Sequence, residues 1–536
     1  MEPKEMFNGF DLSAIEESKR KMIVHSLLGD AAALKELLSE DPELANCEWG
    51  YFTPIHFAVR SGQVESVKLL LEHGAQVTKN PIGWSDDPLT KARDRGYVEI
   101  ADVLEEHLAR HFQVSPTGSK IADLIKQGQS EEVLRVLHES PELLHSSDER
   151  GNTPLHWAVL TRNVPLIDAL IHRDADLSVK RVDGATPLQV VIEGDYWFRS
   201  NRDLSPNTLR NEWFLVGYLA ARGADYDIWT ATAIGDAEKV GTYLQADPSL
   251  ANAKNSVGKR PLNYAAKYGQ TVTLKLLLEH GADPNSEERD APNGGALWKA
   301  VRGNYESCAR LLLEHGANPN AVVEAGGNVL FQAMSNGHDA LVKLLYTYGA
   351  SSNLDSACCL GRIDLAGEII AANPSLVNTG GDFGPLCMAA GYGHTDIVNM
   401  LIRSGADLNA QWYTNNYLGY AVDTGPEMVR LLLESGADPN NANWLGVTYL
   451  HKAAWKGNLE FAQMLIDFGA DLNAIDDEHR STPLGWAAKY GHTEMVQYLL
   501  NKGANPSLPV DESWAQPLAW AIRRGHDDIE SILSKN

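Results

Sequence analysis

A glycine returns along this chain at an almost constant interval. Gly269, Gly303 and Gly337 lie 34 residues apart, and Gly393, Gly425, Gly457, Gly491 and Gly525 follow at steps of 32, 32, 34 and 34. A beat near 33 residues, sustained through most of a chain, specifies a stack of small units rather than one core. Each unit buries its apolar face against its neighbours, so the size limit on a single core does not bind a chain of 536 residues. Such a stack works through its surface, which favours binding over catalysis.

One unit reads from Gly446 to Asn473. A turn leads to Thr448-Tyr449-Leu450-His451, a short helix follows, and Gly457 breaks it. A second helix carries Leu459, Phe461, Leu465 and Ile466 on one apolar stripe. Gly469 then sits where a helix-ending glycine belongs, ahead of an Asp/Asn turn. The box stands elsewhere as Thr53-Pro54-Ile55-His56 and, with Ala158, as Thr153-Pro154-Leu155-His156. Partial copies begin at Thr186, Arg260, Thr482 and Gln516, and a closing Gly-Ala-Asp/Asn recurs at Gly223, Gly281, Gly316, Gly405, Gly436, Gly469 and Gly503. These residues resemble the ankyrin repeat, over nearly the whole chain. The resemblance implies an all-α solenoid of about 15 or 16 helix-turn-helix units with β-turn fingers. It also implies that His56, His156 and His451 hydrogen-bond within the repeats. His73, His280 and His315 recur at one place in the second helix, as a consensus does and a metal site does not.

Four units instead close on Pro-x-Leu: Pro42-Glu43-Leu44, Pro141-Glu142-Leu143, Pro248-Ser249-Leu250 and Pro374-Ser375-Leu376. They resemble bacterial multi-repeat members of the family. Either they restart the array, giving blocks near 1–110, 115–225, 226–350 and 351–536 of one continuous solenoid, or they are drifted repeats. The unit at Thr186 is interrupted near 195–212, where Tyr196, Trp197 and Arg199 stand in an aromatic insertion. It is read as a ligand loop or as a plug on its own repeat.

Charge narrows the partners. With 71 acidic against 46 basic residues the net charge is −25, which argues against nucleic acid or an anionic membrane. The five cysteines are irregularly spaced with no C-x-x-C pair, so buried thiols are expected, with no metal and no cofactor. No apolar leader and no apolar run of 18 residues appears, and the expectation is a cytoplasmic monomer.

In this family the residues ahead of the mid-repeat glycine, and the fingers, line the concave side. Here those places hold Tyr268, Tyr392, Trp455-Lys456, Lys489-Tyr490 and Arg523-Arg524, with Trp49, Phe52, Trp84, Trp412, Tyr413, Trp444 and Trp514 at the fingers. Exposed large aromatics are costly unless used, and Tyr, Trp and Arg dominate binding hot spots. These residues are therefore the candidate partner contacts of a non-enzymatic scaffold. Trp157, Trp486 and Trp520 stand one place after the histidine of the box and belong to core or groove. The acidic run Asp476-Asp477-Glu478 and the pair Glu287-Glu288 read as solvated finger tips, open to a cationic partner.

No nucleophile elbow, phosphate loop or H-E-x-x-H is present. The second reading is a carbohydrate- or small-molecule-binding protein, or a glycoside hydrolase, with Asp382, Asp423 and Glu193 as its candidate carboxylates. That chemistry requires two acids roughly 5–10 Å apart across a pocket.

Overall fold

Threonine followed by proline starts a helix for two reasons. The hydroxyl accepts from an N–H that has no partner in the first turn, and proline has no N–H there to satisfy. In the computed structural model, Thr153, Thr186 and Thr482 each precede a seven-residue first helix, such as Pro154–Leu160 or Pro483–Lys489, and Thr448 caps Tyr449–Lys456 without the proline. The structure describes residues 7, 12, 15–77, 83–194, 212–255, 258–288, 291–323, 327–379, 384–410 and 417–535. These contain 32 α-helices, which fall into sixteen successive pairs. Among the described residues, strand is confined to one finger, where Val322–Val323 pairs antiparallel with Gly327–Asn328.

Between the helices of a pair the backbone must turn at positive φ. Gly491 sits there at φ 78°, and a Cβ at this position would meet His526 Cε1 at 2.8 Å. The glycine beat thus has two causes, the left-handed turn and the close approach of the next repeat. The histidine uses that approach: His526 Nε2 donates to Lys489 O at 3.2 Å, as His492 does to Trp455 O at 2.7 Å.

A second ladder joins the fingers. After the closing Gly-Ala-Asp/Asn, an asparagine side chain reaches the next repeat with both of its ends. Asn285 Nδ2 donates to Gly316 O and its Oδ1 accepts from Asn318 N, each at 2.8 Å. Asn252, Asn320, Asn378, Asn409 and Asn440 repeat the arrangement. Each Pro-x-Leu segment is a 3-10 turn, Pro42–Asn46, Pro141–His145, Pro248–Asn252 and Pro374–Asn378, and three of them enter the same ladder through the asparagine that ends them, Asn46, Asn252 and Asn378.

The chain forms two compact units. One is continuous apart from a short piece, residues 76–78 and 102–351. Its core is built from second-helix leucines such as Leu277, Leu312 and Leu345, and from Leu166, Ile167 and Leu170. The other joins distant parts of the sequence, residues 1–75, 79–101 and 352–536. Phe7, Phe52, Phe57 and Trp84 from its first part share one core with Trp444, Trp486 and Trp520 from its last.

Candidate functional site

The box histidines are structural. His156 Nδ1 accepts from Thr153 N–H and hydroxyl at 3.3 and 2.9 Å, so Nε2 carries the proton and donates it to Ala185 O of the next repeat at 3.1 Å. His451 does the same between Thr448 and Ser481 O. Burial keeps both neutral, with pKa values pushed down to about 3 and about 4. His73, His280 and His315 each bond the carbonyl four residues back at 2.8 Å. Trp157 and Trp486 are core: their indole N–H groups donate to the finger acids Asp148 and Asp476 at 2.7 and 2.8 Å.

The second of these fingers builds the most concentrated polar site. Asp476 is fully buried and accepts from His479 N, Ser481 N and Trp486. That tight loop turns Glu478 inward, where Lys91 Nζ donates to Oε1 at 2.6 Å and Ser85 Oγ at 2.5 Å. The expectation of a solvated acidic tip is therefore corrected: Lys91 and Glu478 side chains are 3% and 0% exposed. Burial pushes the Glu478 carboxyl up, but Lys91, His479 and the two hydrogen bonds outweigh it and hold the group well below the usual carboxylate range. Glu288 is also buried, accepting from Arg260 N and Asn263 Nδ2, so the expectation of a solvated tip fails for Glu288, while Glu287 is exposed as expected.

Around this finger the structure gathers several residues singled out by the sequence. Lys489 is buried with its ammonium on Asp86, beside His479. Burial and the Lys489 charge drive the His479 pKa down to about 4. The Tyr490 hydroxyl donates to Trp84 O at 3.0 Å, and burial raises its pKa. Arg524 grips Asp94 with two nitrogens, at 3.1 and 2.6 Å, and Arg523 lies 3.6 Å from the same carboxylate. Arg95 donates to the carbonyls of Asp477 and Glu478 at 2.9 Å. Trp455 meets Gly83 and stands 6.5 Å from Tyr490, ring to ring. Trp444 is buried under Phe7, Trp49, Phe52 and Phe57, with the Arg60 guanidinium 5.0 Å from its ring. These side chains were expected on open surface. Trp444 and Lys489 are instead buried, Trp455, Tyr490 and Arg524 are half-buried, and Arg523 alone stays exposed.

Other candidates fall elsewhere. Tyr392 is 55% exposed, and Lys456 is exposed above the Trp455 ring. Tyr268 bonds Ile192 O at 2.9 Å and packs edge-on against Trp213. Tyr196, Trp197, Arg199, Trp412, Tyr413 and Asp382 lie outside the described residues. Glu193 takes the Tyr264 hydroxyl, and crowding at its carboxyl raises its pKa although the residue keeps an exposed edge. Asp423 is exposed and belongs to the other unit, so the described carboxylate candidates are not brought together within one unit.

Sequence reasoning missed Ser85, Asp86, Lys91, Asp94, Arg95 and His479. Their one signal is Asp87-Pro88-Leu89, which stands where Thr-Pro-Leu stands elsewhere, with Asp87 capping Thr90 N at 2.9 Å. All five cysteines are buried and free. Among the described residues no group of three or more His, Cys, Asp or Glu is placed to hold a metal, and no helix is long and apolar enough to cross a membrane.

Family models of ankyrin repeats match residues 22–114, 228–323, 287–356, 354–443 and 450–536, and a single-repeat model matches 150–181. Similar curated proteins include the E3 ubiquitin-protein ligase KEG of Arabidopsis thaliana, 26% identical over 76% of this chain and 22% of that protein. The mouse palmitoyltransferase ZDHHC13 is 31% identical over 30% of this chain and 25% of its own length. Mouse Rabankyrin-5 is 23% identical over 44% of this chain and 20% of its own. The chain thus spans a quarter or less of the length of these relatives. With models matching from residue 22 to residue 536, the chain belongs to the ankyrin-repeat family, a protein-binding repeat architecture.

Proposed function

We propose that the protein is a non-catalytic scaffold that holds a partner protein along the first-helix face of its repeats. The observation that supports this is positional. In repeat after repeat, the place ahead of the mid-repeat glycine carries a tyrosine, a tryptophan or a cation: Tyr268, Tyr392, Trp455 with Lys456, Lys489 with Tyr490, Arg523 with Arg524. Packing alone would be met by alanine or leucine at these places, whereas Tyr, Trp and Arg supply contact area and hydrogen bonds of the kind that dominate interfaces; Tyr268, Lys489, Tyr490 and Arg524 spend those bonds within the chain. Tyr392 presents an exposed ring and Lys456 an exposed cation.

A photo-crosslinking residue placed in turn at 392, at 456 and at Tyr346, on the second helix Asp339–Thr347, tests the reading. A defined partner protein joined through 392 and 456 but not through 346 supports it. Crosslinks through 346 alone would move the partner to the second helices and overturn it.

A further inference from the structure

Among the described residues the longest helix is Val98–Phe112, and its C-terminal turns carry two histidines four positions apart, His107 and His111. Side chains at i and i+4 stand one above the other on a helix. Here the two imidazoles lie 4.6 Å apart, centroid to centroid, and Phe112 flanks them at 6.2 and 6.4 Å. His107 is half-buried and His111 exposed, so the pair is held by the helix and open to solvent on one side.

Two properties set this pair apart from the other histidines. The first is that neither ring is used by the repeat. His56, His156 and His451 hold caps, and His394, His492 and His526 each bond a carbonyl of the preceding repeat. The imidazoles of His107 and His111 make no hydrogen bond among the described residues, and each faces the other. The second is their place. The C-terminal end of a helix carries partial negative charge and favours a cation beside it.

Two imidazoles at this spacing are a chelate. The same i, i+4 arrangement places both histidines of an H-E-x-x-H helix on one zinc ion. Imidazole nitrogen suits zinc, copper and nickel, whereas magnesium and calcium take oxygen. With Zn–N bonds of about 2.0–2.1 Å and tetrahedral angles, the two ligating nitrogens stand about 3.3 Å apart. Rings 4.6 Å apart reach that spacing by turning about their own side-chain bonds, with the backbone unmoved. We propose that His107 and His111 form an open two-histidine site for a divalent transition-metal ion, whose remaining coordination positions are filled by water. Bound there, the ion staples the C-terminal turns of the helix. The site is independent of the scaffold reading.

The experiment uses the full chain, freed of metal with a chelator and titrated with zinc chloride by isothermal calorimetry. One site is expected. Its heat should be lost in His111→Ala, which alters an exposed side chain. It should also be lost in Ala109→His/His111→Ala, which keeps the number of histidines but sets the two at i and i+2, where side chains do not face each other. Hydrogen exchange locates the ion. With free zinc at about ten times the measured dissociation constant, protection of the His111, Phe112 and Gln113 amides should rise about 11-fold, the factor by which ligand binding favours the closed helix. The Pro483–Lys489 helix should not change. No heat in the parent chain overturns the proposal. So does an isotherm that is the same in parent and both variants, because zinc then sits on other side chains. Should a variant lose its helical circular dichroism, exchange on the parent decides, and unchanged protection at 111–113 with zinc bound overturns the proposal.

Discussion

Glu478→Gln removes the one buried carboxylate that faces Lys91, with Arg60 and Arg95 close by, while keeping the shape and hydrogen-bonding reach of the side chain. Nothing is lost but the charge. Taking one partner from a buried pair costs about 3–5 kcal/mol because the other is left uncompensated. Here both side chains are 3% exposed or less, so no solvent discount applies. The free energy of opening, read by hydrogen exchange in the Pro483–Lys489 helix, is expected to fall by that amount, about two to almost four orders of magnitude in protection. Amides of Pro261–Lys267, in the other unit, should not change. The effect also has a pH signature. Burial lowers the Lys91 pKa from its usual 10.5, and loss of Glu478 lowers it further, so the unfolded chain binds the extra proton and stability rises with pH. The melting difference between variant and parent should therefore be larger at about pH 6 than at about pH 9. In the parent the carboxylate acts in the other range. Its stabilisation is present above the ordinary glutamate pKa and is lost as pH falls toward the depressed folded value. Adding Lys91→Met to the variant should restore most of the stability. A loss below about 1 kcal/mol, the worth of a surface pair, would refute the reasoning.

Trp444→Ala is expected to cost about 3–5 kcal/mol, because the indole is 2% exposed and packs on four aromatic rings; thermal melting of that unit reads it. Asn285→Ala removes both hydrogen bonds that join its finger to the next. About 1 kcal/mol is expected, visible as faster exchange at the Asn318 amide, which loses its acceptor, but not at distant repeats. His451→Gln keeps the cap, as Gln189 does beside Thr186, and removes a group whose folded pKa of about 4 lies below its usual 6.5. That histidine withdraws stability as pH falls below 6.5 toward 4. By about pH 5 the withdrawal amounts to about 2 kcal/mol, so the variant's melting temperature should fall less between about pH 7 and pH 5.

The repeat was legible because it is local. Gly491, Thr448 with His451, and the Gly-Ala-Asp/Asn closures each act within one unit or upon the next, so spacing alone exposes them. The asparagine ladder was equally local and was overlooked, although Asn285, Asn409 and Asn440 all stand four places after a closing glycine. The acidic finger was illegible for a different reason. Asp476-Asp477-Glu478 reads as any solvated tip does, and its counter-charges, Lys91 and Arg95, lie 387 and 383 residues earlier in the chain. No pattern of spacing records a pairing at that distance. The same holds for Trp444 and Trp84: their size was visible, but what covers them was not.

The joining of residues 1–101 with 352–536 in one unit has a consequence for synthesis. Repeats can fold as they leave the ribosome, each on the one before it. Residues 102–351 have all their neighbours at hand in this way. Trp84, however, meets Trp486 only after roughly 400 further residues have been made, which at about 5–20 residues per second is a wait of about 20–80 s. During that time Phe52, Phe57 and Trp84 are made without the surface that will cover them. The first repeats of this chain are thus its natural clients for chaperones. A messenger that slows translation late in the coding region would harm the first hundred residues more than the segment being made.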